Sequence, residues 1–186
     1  MPVVILDGIL ETVYYEVKYD PDEPQGPVAF AFGRDEKTLT WHENSAPEFA
    51  GKLCSESEVC EWGSAETGRG KAARETRRLA VIPAGTFENG KFKAFTDEEQ
   101  FESAAIAYMK LPVTSVKGYA AFVKQVVGAL KRPPHAVFTK VKVVPDPKSQ
   151  FRVVFEPLSQ VPDDLLGIIM QRHEEAKASI EFPYPR

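Results

Sequence analysis

The sequence predicts a mainly β chain with α-helical decorations, an α+β class built on a small barrel or sheet. Three observations carry this. Short runs rich in Val, Phe, Tyr and Thr occupy the first third and recur near residue 140. Helical periodicity is confined to a few segments after residue 96. The order of strands, insertion, strands, a helix or two, a hairpin and a terminal helix is unlike the regular βαβ alternation of a parallel sheet.

Each element has its own warrant. "LETVYYEVKY" at 10–19 alternates roughly and is rich in β-formers, so it reads as a strand, with "VVIL" at 3–6 leading into it. "DPDEPQGP" breaks the chain, and "VAFAF" at 28–32 and "TLTWH" at 38–42 follow as two short strands. Residues 43–74 show little period of either kind and read as an extended loop or insertion. "RRLAVI" at 77–82 is a strand ending at Pro83, and "GTFENGKFKAF" pairs two short strands around Asn89-Gly90. Thr96 with Glu99 matches a capping box ahead of a helix through "QFESAAIAYM". Ser115 is placed to cap "VKGYAAFVKQVVGALK", whose Val116, Ala120, Val123, Val127 and Leu130 share one face, with Lys117, Lys124 and Lys131 as a second stripe. "HAVFTKVKVV" and "QFRVVFE" form the clearest hairpin, residues 162–180 a C-terminal helix, and residues 181–186 a tail.

At 186 residues the chain is sized for a single domain spanning 1–186, able to bury a core without metal or disulfide help. No apolar run is long enough for a membrane span. "MPVVILDGILE" has no basic n-region, so the expectation is a cytoplasmic protein. The net charge of −4 hides a segregation: residues 1–66 carry 4 basic and 14 acidic groups, whereas residues 110–155 carry 9 basic groups and Asp146 as sole acid. A polyanion-binding surface on an acidic protein and a surface of mixed sign both fit that count.

Residue types and their spacing bear on several chemistries. "GRGKAARETRRLAVIP" concentrates five basic residues between Gly68 and Pro83. It fails the phosphate-loop pattern, since Gly63 and Gly68 are followed by Arg69, while Gly70-Lys71 is followed by Ala72 and preceded at the required distance by Ala65. Cys54 and Cys60 lie too far apart for a zinc pair, and no second pair exists, so no metal and no cofactor are expected. Glu16 and Lys18 on one strand face, with Asp7 upstream, could hold magnesium for phosphodiester hydrolysis, although Glu175-Ala176-Lys177 matches the same short pattern. The three histidines assemble into no recognisable triad. In the hairpin, Phe138, Lys140 and Lys142 alternate with Val137, Thr139, Val141 and Val143, and Arg152 lies on the partner strand. A ring beside cations suits single-stranded nucleic acid, but taken alone the hairpin favours a second small core around Phe138 with solvated lysines.

The run "CEWGSAETGRGKAARETRRLAVIP", then "LPVTSVKGYAAFVKQV", then "HAVFTKVKVV" resembles a group of small single-stranded DNA-binding proteins of tailed bacteriophages, built on an OB barrel, over roughly residues 54–155. The resemblance implies an OB-like five-stranded barrel with an inserted loop and a C-terminal helix. It also implies a binding role, without catalysis, in phage DNA replication or recombination. Carried over, Arg69, Lys71, Arg74, Arg77 and Arg78 would contact phosphates, Lys140, Lys142 and Arg152 would supply the sheet surface, and Phe138 and Trp62 would stack bases. Single-stranded DNA is then the partner, with replication or recombination proteins and a second copy of the chain compatible with it. Ala72 and Ala73 stand where such proteins often carry cysteines, and "SIEFPYPR" is not an acidic recruiting tail. The alternatives are the Asp7/Glu16/Lys18 nuclease and an interaction or inhibitor protein that uses the acidic first third as a DNA-like surface.

Overall fold

An apolar run buried on both faces opens the chain. The computed structural model describes residues 1–17, 20–22, 25–147 and 149–184. Strand β1 covers Pro2–Tyr14, so "VVIL" and "LETVY" form one continuous element. Consecutive Val3, Val4, Ile5 and Leu6 are all buried, which requires cover on both sides because neighbouring side chains point oppositely. The other strands are β2 (Ala29–Gly33), β3 (Arg74–Pro83), β4 (Gly85–Glu88), β5 (Lys91–Ala94), β6 (Ala107–Leu111), β7 (Val137–Asp146) and β8 (Gln150–Gln160). Helices are α1 (Glu98–Glu102), α2 (Val113–Gln125) and α3 (Leu166–Ser179).

The main sheet runs β6-β3-β1-β7-β8, and β2 pairs with the later part of β1, Leu10 to Tyr14, while β7 pairs with its beginning, Pro2 to Val4. The path is open, with no closed barrel among the described residues, so the expected OB-like closure is not formed. Helical and hairpin cover on the two faces buries the apolar surface without joining the edge strands. The coarser expectation of a mainly β, α+β chain with a C-terminal helix is what the structure has.

The chain divides into two compact units, each assembled from separate stretches of sequence: Met1–Gly8 with Arg78–Ile180, and Ile9–Arg77 with Glu181–Arg186. In the first, Phe122 of α2 and Val126, which opens a π-helical stretch Val126–Leu130 continuing α2, pack with Val3, Ile5, Leu79, Val81, Val137, Val141, Val153 and Phe155 on one sheet face. On the other face Phe138 stacks on Phe101 of α1 and meets Phe92 of β5 edge-on. The β4–β5 hairpin turns at Asn89 and Gly90, both at positive φ, as the Asn-Gly signal predicts. Gly85 permits that hairpin to approach so closely that a Cβ there would sit 2.1 Å from the Lys93 carbonyl oxygen.

Helix α3 is fastened by polar contacts as well as by Ile169 and Ala176. Nδ1–H of His173 donates to the Leu6 carbonyl at 2.6 Å, and the ring lies 4.5 Å from that of His135. Burial first, then the neighbouring His173, holds His135 below its ordinary value, while Asp7 works the other way.

The second unit buries Ala29, Ala31, Leu39, Trp41, Cys54 and Ala73 together. Trp41 donates from Nε1 to Ser57 Oγ at 2.7 Å. Residues 43–74 contain two single 3-10 turns, Cys54–Glu56 and Glu58–Cys60, rather than longer regular elements. Glu11, fully buried in β1, accepts from Thr76 Oγ1 at 3.2 Å and from Tyr184 OH at 2.7 Å, which ties the C-terminal segment into this unit.

Four local expectations are corrected. "TLTWH" is reduced to a single bridge, Thr40 to Leu53, because Trp41 and Cys54 exchange backbone bonds with loop residues rather than with a strand. The capping pattern falls one residue later, with Gln100 Oε1 accepting from the Thr96 and Asp97 N–H groups, and the helix stops at Glu102. "AIAYM" joins the sheet edge as β6. Finally, α2 starts at Val113, so Ser115 lies inside it, where its buried Oγ accepts the Val153 N–H at 2.8 Å. The buried positions of that helix are accordingly Ser115 and Phe122, and in the π-helical stretch beyond it Val126 is buried and Val127 exposed.

Two outcomes are expected. Ser115→Ala leaves the Val153 N–H buried without an acceptor and should cost about 1–3 kcal/mol in denaturant unfolding. His135, favoured neutral in the folded state, contributes stability above the unfolded-state value of 6.5 that is lost as pH falls through and below it. His135→Gln should flatten that part of the stability profile in unfolding titrations between neutral and mildly acidic pH.

Candidate nucleic-acid interface

The residues singled out from sequence are distributed over both units. Trp62, Arg69, Lys71, Arg74 and Arg77 belong to the second; Arg78, Phe138, Lys140, Lys142 and Arg152 belong to the first.

In the second unit the site is a loop held by its own backbone. Gly63 N–H and Ala65 N–H both donate to the Gly70 carbonyl, Ser64 Oγ accepts from Ala72 N–H, and Ala73 N–H donates to Val59. Gly63 and Gly68 adopt φ of 95° and 83°, a region where a side chain is strained even with open space around it. On this frame Trp62 is 80% exposed, and Lys71 Nζ lies 5.6 Å from its ring centre. Lys71 also pairs with Glu75 at 2.5 Å, and that hydrogen bond is the main reason its ammonium is held above the usual lysine value. Arg69 and Arg74 are exposed, and Arg77 is half-buried. Glu58, Glu61 and Glu66 occupy the same stretch, and the unit as a whole has 15 acidic and 9 basic residues.

The cysteines beneath this loop are inert by the same packing. Burial, then the other thiol, pushes Cys54 up to about 12, and burial likewise pushes Cys60 up to about 11, although Lys71 works against it. Thiols so placed stay protonated at neutral pH. Among the described residues no group of three or more His, Cys, Asp or Glu side chains is arranged to hold a metal ion.

In the first unit the hairpin register gives the predicted alternation. Lys140 faces Glu156, Lys142 faces Val154, and Val144 faces Arg152, so the three cations share one sheet face. Their environments differ. Lys140 Nζ lies 4.7 Å from the Phe87 ring centre, Lys142 is paired with Glu156 at 2.5 Å, and Arg152 is exposed. The Lys142 hydrogen bond holds the Glu156 carboxyl below its usual range.

Two predicted contacts are withdrawn. Phe138 is 1% exposed and sandwiched against Phe92 and Phe101, so the ring expected to stack bases is core. Arg78 is buried, with Nη1 donating to the Ile180 carbonyl at 3.0 Å at the end of α3, so it cannot reach a phosphate in this fold. Phe138 sits where β7 runs under α1 and the β4–β5 hairpin, a layer that a single strand's alternation does not reveal.

The nuclease residues do not form the expected strand constellation. Strand β1 ends at Tyr14, Glu16 lies in the bend beyond it, and Lys18 falls outside the described residues. Asp7 is largely buried, and its Oδ1 accepts the Gly8 N–H at 2.9 Å. Sequence reasoning missed the buried Glu11 and the His135–His173 contact, for which spacing offered no signal because their partners are far along the chain. Searches against protein-family models, curated proteins and solved structures return no match to this chain.

Phe138→Ala is expected to act on stability rather than on any ligand, lowering it by about 3–5 kcal/mol. Thermal unfolding checks this, and an unchanged melting temperature would return the ring to solvent.

Proposed function

We propose that the protein binds single-stranded nucleic acid without sequence preference, in the manner of a phage DNA-binding protein of replication or recombination, and does so without catalysis. The observation that carries the reading is Trp62. A large ring left 80% exposed on a braced loop, with a lysine over it and Arg69 and Arg74 exposed nearby, presents both halves of single-strand recognition. Any base can stack on the ring, and the cations follow the backbone. Lys140, Lys142 and Arg152 on one face of the β7–β8 hairpin add a second cationic surface.

The chain has two tryptophans, and Trp41 is 1% exposed, so a ligand-induced change in emission reports Trp62. Oligo-dT is expected to quench that emission, with affinity falling steeply as salt rises. Trp62→Ala should weaken binding, followed by anisotropy of a labelled oligonucleotide, about 5- to 150-fold. Unchanged affinity removes Trp62 from the site and leaves the acidic second unit, as an interaction surface, the better account.

A further inference from the structure

Helix α2 carries a charged face that the Trp62 loop does not use. Its buried side chains, Ser115 and Phe122, meet the sheet together with Val126 just beyond it, and at 100° per residue Lys117 and Lys124 point directly away from it. They stand about 10 Å apart along the axis, seven residues at roughly 1.5 Å each. Exposed Ala120, Ala121 and Gly128 lie beside them, and exposed Lys131 closes the helical segment in a left-handed backbone conformation. Several lysines elsewhere are compensated: Lys71 by Glu75, Lys93 by Glu88, Lys142 by Glu156, Lys177 by Glu174. Among the described residues Lys117, Lys124 and Lys131 have no such partner, and no Asp or Glu occurs between Glu102 and Asp146.

We propose that the outer face of α2 is a phosphate-tracking surface for a single nucleic-acid strand, supplying charge without base contacts. The chemistry of the face selects this occupant. Lysine is a point charge that neutralises phosphates wherever they lie, whereas protein interfaces are depleted of lysine and favour aromatic, Met and Arg anchors. A helix lying in a membrane surface would bury Trp, Phe or Leu, and the exposed apolar groups here are Val113, Val127 and alanines. Small residues beside the lysines let a strand lie close to the helix. The inference rests on the nucleic-acid reading but not on Trp62.

The test uses the full chain, with labelled oligo-dT followed by anisotropy across a salt series and Trp62 emission recorded in parallel. Lys117→Gln/Lys124→Gln/Lys131→Gln should lower the slope of log affinity against log salt by about 2, since each single-strand phosphate contact contributes roughly 0.7. The quenching amplitude at saturation should stay unchanged. A slope equal to that of the unmodified protein overturns the proposal, as does loss of binding to phosphatidylserine vesicles in place of oligo-dT. If the slope falls while neither protein shows quenching, the α2 surface stands and the Trp62 reading is the one that fails. Unchanged far-ultraviolet circular dichroism separates these results from unfolding of the helix.

Discussion

Burial of the central strands on both faces is the constraint from which the rest of the first unit follows. Val3, Val4, Ile5 and Leu6 in β1, and Val137, Phe138 and Thr139 in β7, are consecutive and without exception buried. Consecutive side chains in a strand cannot share one face, so α2 must cover one side while α1 and the β4–β5 hairpin cover the other. Once both sides are covered, cations can reach solvent only beyond the cover, which is where Lys142 and Arg152 emerge on the hairpin and Lys117 and Lys124 on the back of α2. At roughly 25 cal/mol per Å² of apolar surface, this packing outweighs whatever exposed ion pairs add, because such pairs contribute little in water.

Positive charge in this protein therefore falls into distinct physical classes. Arg78 is structural, spent on a helix-end carbonyl. Lys71 and Lys142 are neutralised by carboxylates four residues or one strand away, and Lys140 rests over a ring. Arg69 and Arg74 are exposed, and the α2 lysines have no carboxylate partner. A count of basic residues along the chain treats these alike, yet only groups of the last kind are free to exchange small counterions for phosphates without first breaking a contact.

Much of the fold was legible in the sequence wherever the signal was local. Asn89-Gly90 demands a turn with positive φ at both positions, and alternation across Val137–Asp146 and Gln150–Gln160 marks a hairpin, so both appear as expected. The last helix follows from its length and from Pro162 before it. The misreadings arise where distant contacts decide. "AIAYM" has a helix-compatible composition, but pairing at the sheet edge makes it β6. Ser115 looks like a cap until Val153, 38 residues away, is seen to need an acceptor. Phe138 was ambiguous between a stacking platform and a second small core, and the second covering layer, invisible in a two-residue period, decided for core. At the candidate site Trp62 was legible as an aromatic among glycines and cations, whereas its exposure was not.

Because each unit is assembled from stretches far apart in sequence, synthesis from the N-terminus delivers the pieces out of order. Residues 9–77 emerge early, but the phenol that satisfies the buried Glu11 carboxylate belongs to Tyr184, 173 positions later. Until that side chain leaves the ribosome, the carboxylate has to stay hydrated or find a temporary donor, and the strands flanking β1 lack their final neighbours. Long-range closure of this kind slows folding and prolongs exposure of unpaired strand edges. The nascent chain is thus most vulnerable to mispairing in the interval between the appearance of β1 and that of the C-terminal segment.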